Sequence, residues 1–215
     1  QFSTNGGTNW SNFGTPTTAA ARLLGADSNN NKVRFVPGLN FNGTVNPGIT
    51  FHAWDQATGT NGSTADISGG GATGGITAYS TATETAAIAV AAVNDAPVLD
   101  NSGTMSLTGI NEDNTNSAGN TIAALLATAG DRITEVDAGA IEGIAVIAVD
   151  NTNGAWQFST NGGTNWSNFG TPTTAAARLL GANSAINKIR FVPGLHFNGS
   201  VGITFRAWDQ TTGAN

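Results

Sequence analysis

The chain has 215 residues, a net charge of −6, 29 glycines and only 10% charged residues, which bounds it at about one domain plus part of another. It has no cysteine, which excludes disulfide and thiol chemistry. Nothing resembles a basic stripe, which argues against a nucleic-acid partner, and the longest apolar run, around Ala86–Val93, is far too short to span a bilayer.

The predicted elements are short and β-like, separated by turn residues, and they indicate an all-β fold with many turns. The first is a hairpin turning at Asn5-Gly6-Gly7, where Asn and Gly accept positive φ at little cost. Gly59 to Ala78 is rich in Gly, Ser and Thr and reads as a long mobile loop or an inserted hairpin. Glu84 to Val93 is a candidate strand that runs into Asn94-Asp95-Ala96-Pro97. Proline cannot continue a central ladder and holds its predecessor extended, so Val93 to Val98 is predicted to be a straight linker. Asn120 to Thr128 predicts a short helical turn over one end, and Ile141 to Asp150 is strongly β. A second hairpin joins Trp156–Ser159 to Trp166–Phe169 around Asn161-Gly162-Gly163. Lys188–Val192 and Val201–Trp208 alternate at period two about a Pro193-Gly194 and Asn198-Gly199 corner, and they predict adjacent antiparallel strands.

A long-period repeat organises these elements. Gln1–Val45 and Gln157–Val201 differ at only six of 45 positions, and after the insertion of Asn46 and Pro47, 11 of the 14 residues from Gly48 to Asn61 match Gly202–Asn215. One period is roughly 155 residues. Two units are therefore expected, 1–95 without its N-terminal strands and 96–215 without its C-terminal ones. Gln1 falls within a repeat, so the absence of a leader carries no information on secretion. Near-identical copies suit an output that scales with length rather than catalysis. His52 stands opposite Arg206 and Asn40 opposite His196, so neither histidine is an obligatory base or ligand if the copies do one job.

Ten of the 14 acids lie between Glu84 and Asp150, where Arg132 is the only base, and repulsion at that density favours solvent exposure or neutralisation by cations. Several motifs in and beyond this stretch form a pattern: Ala92-Val93-Asn94-Asp95-Ala96-Pro97-Val98-Leu99, Asn111-Glu112-Asp113, Glu135-Val136-Asp137-Ala138-Gly139, Phe191-Val192-Pro193 with Phe197-Asn198-Gly199, and Phe205-Arg206-Ala207-Trp208-Asp209. Together they resemble the cadherin-like, VCBS-type repeats of giant secreted bacterial adhesins and surface proteins. The resemblance implies tandem immunoglobulin-like β-sandwiches with calcium at the junctions. It also implies a ligand set of Asp55 from the preceding unit, Asn94 and Asp95 from the linker, and Glu112, Glu135 and Asp137 from the next unit. Calcium takes about 6–8 oxygen ligands, which carboxylates, amides and carbonyls supply. Glu135-Val136-Asp137 departs from the family's Asp-x-Asp, and the longer arm of Glu alters the geometry there.

Ser3-x-Asn5-x-Gly7-x-Asn9-Trp10 and Ser159-x-Asn161-x-Gly163-x-Asn165-Trp166 are similar to the Asp-box hairpin of sialidases, a folding motif remote from their chemistry, with Asn replacing Asp. A sialidase would also need an arginine cluster and a catalytic Tyr, and Tyr79 is the only tyrosine. Trp10, Trp54, Trp166 and Trp208 read as core or strand-pair anchors. The resemblance thus implies a non-enzymatic, extracellular structural repeat of an adhesin or surface fibre. Its partners would be neighbouring repeats, self-assembled fibres, or a polysaccharide or cell surface. A carbohydrate-binding module of a secreted polysaccharide-degrading protein is the alternative.

Overall fold

Short β-forming runs broken by Gly, Asn and Pro give an all-β chain, 34% strand and 4% helix. The computed structural model describes residues 1–26 and 28–215. It divides into two units, Gln1–Ala92 and Val93–Asn215.

In the first unit, β1 (Phe2–Ser3), β2 (Ala21–Arg22), β3 (Lys32–Val33), β4 (Gly43–Trp54), β5 (Thr64–Ala65) and β6 (Tyr79–Val90) form three antiparallel pairs, β1 with β3, β2 with β5 and β4 with β6. The inserted Asn46 and Pro47 are absorbed as a bulge. Val45 faces Ile88 and Ile49 faces Ala86, so four steps along β4 match two along β6. The Gly-rich stretch after Gly59 is neither a free loop nor a hairpin of its own. It supplies β5, which pairs Ala65 with Ala21, and it buries Ile67.

The second unit contains β7 (Val98–Leu99), β8 (Asn120–Thr121), α1 (Ile122–Ala127), β9 (Ile133–Thr134), β10 (Gly143–Val149), β11 (Gly154–Ser159), β12 (Ser167–Asn168), β13 (Arg178–Gly181), β14 (Lys188–Pro193) and β15 (Ile203–Trp208). One sheet runs β12-β11-β14-β8, another runs β13-β10-β15, and β7 pairs with β9. A common core lies between the first two, joining Ile144, Val146 and Leu180 from one to Trp156, Ile189 and Phe191 from the other. The predicted helix forms as α1. The Thr121 hydroxyl caps it by accepting from the Ala124 amide, and Ile122, Leu125 and Leu126 face the core. Six residues cannot hold a helix in water, so this apolar face maintains it.

Lys188–Val192 and Val201–Trp208 are not neighbours, contrary to the expectation from their alternation. β14 already has partners on both edges, β11 and β8, whereas β15 pairs with β10 in the other sheet. The Pro193–Gly202 connection carries the chain across the core, and Phe197 packs edge-on against Phe191 on the way, with ring centroids 6.2 Å apart.

Candidate functional site

The most fully built arrangement is the one that occurs twice. In the second copy, β11 and β12 are joined by the Asn161-Gly162-Gly163 turn, with Gly162 and Gly163 at φ of 76° and 94°. The buried Ser159 hydroxyl donates to Asn161 Oδ1 at 2.9 Å and accepts the Asn161 and Gly163 amides at 3.3 and 2.9 Å. Asn161 Oδ1 also accepts the Asn165 amide at 2.9 Å. A Cβ on Gly163 would come within 3.3 Å of the Trp166 ring, so the indole lies directly against the turn. Ser3, Asn5, Gly7 and Asn9 repeat these bonds at the same distances in the first unit.

The indoles are engaged on one face. Arg190 lies 4.2 Å from the centroid of Trp166 and donates through Nε to Gln157 Oε1 at 2.8 Å. Arg34 lies 4.1 Å from the centroid of Trp10 and donates to Gln1 Oε1 at 2.7 Å. Arg178 and Arg22 stack on Phe158 and Phe2 in the same way, at 4.5 and 4.7 Å. Trp208 and Trp54 each donate through the indole to a carbonyl four residues on, that of Thr212 or Thr58. The duplicated polar and aromatic groups are thus largely committed to holding local backbone and to cation–π stacking.

A second arrangement lies at the linker side of the second unit. The Asn94 amide donates to Asp209 Oδ2 at 2.9 Å, and the Asp95 backbone amide donates to Asp137 Oδ2 at 2.8 Å. Asp209 Oδ1 accepts both the Thr211 amide and the Thr211 hydroxyl. The bond from Asn94, followed by those from Thr211, lowers the Asp209 carboxyl below the usual carboxylate range. Glu135 and Asp209 line one small cavity with Pro97, Ile141 and Trp208. Glu135 Oε2 is buried there and has no hydrogen-bond partner among the described residues. Beside them, burial and then the nearby Asp131 raise the Glu142 carboxyl.

Of the ligand set implied by resemblance, the structure draws Asn94, Asp95 and Asp137 into this arrangement and places Glu135 on the cavity that Asp209 shares. Glu112 lies elsewhere in the unit, where its Oε2 accepts from Asn198 at the long distance of 3.5 Å. Its neighbour Asp113 accepts the His196 amide at 2.8 Å. Asp55 belongs to the first unit. It accepts the Ala57 amide at 2.8 Å and borders an open depression of about 430 Å³ with Trp54, Gly74 and Tyr79. Asp209 was outside the implied set, yet it is the repeat equivalent of the Asp55 inside it. That correspondence is the signal that could have found it. Among the described residues no three acidic or histidine side chains converge closely enough to hold a metal ion. The donors are hard oxygens of the kind calcium takes, but Asp137 and Asp209 spend oxygens on N–H donors.

Comparison of the chain with protein-family models, with characterised proteins and with solved structures finds no significant match.

Proposed function

We propose that the chain is a structural repeat module of an extracellular bacterial adhesin or surface fibre, built of immunoglobulin- or cadherin-like β-sandwich repeats. The observation that carries this reading is the duplication of the Ser-Asn-Gly-Trp hairpin with the same internal hydrogen bonds, since copies that spend their distinctive side chains on their own backbone act as building units. The alternative, a carbohydrate-binding module, needs aromatic rings presented as free platforms. The guanidinium stacked on Trp10 and Trp166 disfavours it at those two positions.

Calcium belongs to the same proposal. Among the described residues the acids do not converge on one point. Binding would therefore have to draw Asp137, Asp209 and Glu135 together with the Asn94 side chain and Asp95, and the buried unpartnered Glu135 Oε2 is the feature that fits a cation. A bound ion would neutralise acids that otherwise repel one another and would fix the linker to the loops. Binding to the folded chain alone should stabilise it by about 2.7 kcal/mol at a hundredfold excess over Kd. The test is thermal unfolding of the 215-residue chain with calcium and with chelator, alongside Asp137→Ala. A melting temperature that chelator lowers in the parent but not in the variant supports the reading. Unchanged melting in both overturns the calcium part of it.

A further inference from the structure

We propose that the first unit carries an acceptor edge for one specific strand, the Gly143–Val149 segment of another copy of the repeat, which adds to β4 in the register that β10 takes on β15. This goes beyond the structural-repeat reading and depends on neither calcium nor adhesion.

The repeat supplies the argument, because equivalent residues occur once with a partner and once without. In the second unit β10 lies along β15 with Ile144 opposite Ala207, Val146 opposite Phe205 and Val149 opposite Ile203. Ile144 and Val146 are fully buried there. The equivalents of β15 are Ile49–Trp54 within β4, and β4 pairs only with β6 among the described residues.

The edge that β6 uses is not the one β10 would need. Backbone groups alternate in direction along a strand. The Ala53 and Asp55 amides point toward β6, donating to the Ser80 hydroxyl and the Ala78 carbonyl. The Gly202 carbonyl points toward β10, accepting the Asp150 amide. Its equivalent is Gly48, which has the opposite parity to Ala53 and Asp55. The register shift between β10 and β15 falls in β10, so this parity holds along β15. Thr50, His52 and Trp54 therefore direct their amides and carbonyls away from β6, to an edge that carries no strand among the described residues.

Apolar surface is uncovered in the same unit. Ile189 and Phe191 are buried in the second unit, whereas the equivalent Val33 and Phe35 are 54% and 39% exposed, and Phe51, equivalent to Phe205, is 45% exposed. An edge of unpaired backbone on a strand that itself carries an uncovered apolar ring, Phe51, is a strand-addition site. The transferred register places Val146 opposite Phe51, Ala145 opposite His52 and Ile144 opposite Ala53.

The test uses the 215-residue chain and a fluorescent synthetic peptide of residues 140–151, with binding followed by anisotropy. Saturable one-site binding is expected. Val146→Asp in the peptide should weaken it at least tenfold. Thr50→Pro in the chain, which removes an amide from the acceptor edge only, should do the same. Hydrogen exchange on the unmodified chain decides the matter even if that variant does not fold, since the peptide should slow exchange at the Thr50 and His52 amides. Absent saturable binding, equal binding of the Val146→Asp peptide, or unchanged exchange at Thr50 and His52 would overturn the proposal.

Discussion

Replacing Ser159 by Ala probes the duplicated hairpin directly. The hydroxyl is buried at 2% exposure, accepts two backbone amides and donates to Asn161 Oδ1. Without it the Gly163 and Asn161 amides lose their acceptor, while Asn161 Oδ1 keeps only the Asn165 amide. A net hydrogen bond contributes about 1 kcal/mol and a buried donor left unpaired costs about 1–3, so the three linked bonds of this partly buried turn together come to about 2 kcal/mol. In a unit of this size that is a fall of roughly 8 °C in melting temperature. The assay is differential scanning calorimetry of the full chain, with Thr164→Ala as the comparison. Thr164 is exposed and its hydroxyl meets only the Asn161 carbonyl, so that change should stay within about 0.5 kcal/mol. Ser3→Ala should act on the first unit as Ser159→Ala acts on the second. If Ser159→Ala lost no more stability than Thr164→Ala, the hairpin would not depend on the hydroxyl, and the structural role assigned to the motif would fail.

Equivalent core positions should respond unequally. Ile189→Ala, at a fully buried site, should cost about 2–5 kcal/mol, whereas Val33→Ala, more than half exposed, should cost about 0.5 or less by urea denaturation. Hydrogen bonds from Ser102 and then Arg132 lower the Asp100 carboxyl from 3.8 to about 2. Its folded-state value is depressed, so its stabilising contribution is present above about pH 4 and disappears as pH falls toward 2. Asp100→Asn should flatten that part of the stability–pH curve, and an unchanged curve would contradict the assignment. Glu142 is shifted the opposite way, by burial and then by Asp131. Its charged form opposes folding, and Glu142→Gln should raise the melting temperature at pH 7.

The sequence made the local elements legible and left the long-range pairing open. The Asn-Gly-Gly hairpin, the capped turn after Thr121 and the Ile141–Asp150 strand each follow from residues close together in the chain, and each forms. Period-two alternation shows which face of a strand is apolar, but it does not say which sheet the strand joins. β14 and β15 both alternate and lie in different sheets, because β11 and β8 had already filled the edges of β14. The acids show the same limit. Their density was evident, but the approach of Asp95 to Asp137 depends on how the linker meets a loop 42 residues away.

The spacing of the pairings also orders the events of folding. The β11–β12 hairpin closes between Gln157 and Asn168, a local contact that forms on a timescale of about 1–10 μs. β10, by contrast, must find Leu180 and then Phe205, far along the chain, and the loss of loop entropy precedes any gain from those contacts. The hairpin is therefore an early-forming seed, and docking of β10 is the slow step. A chain built from such copies carries a seed in every one, so nucleation at one repeat need not wait for completion of the repeat before it.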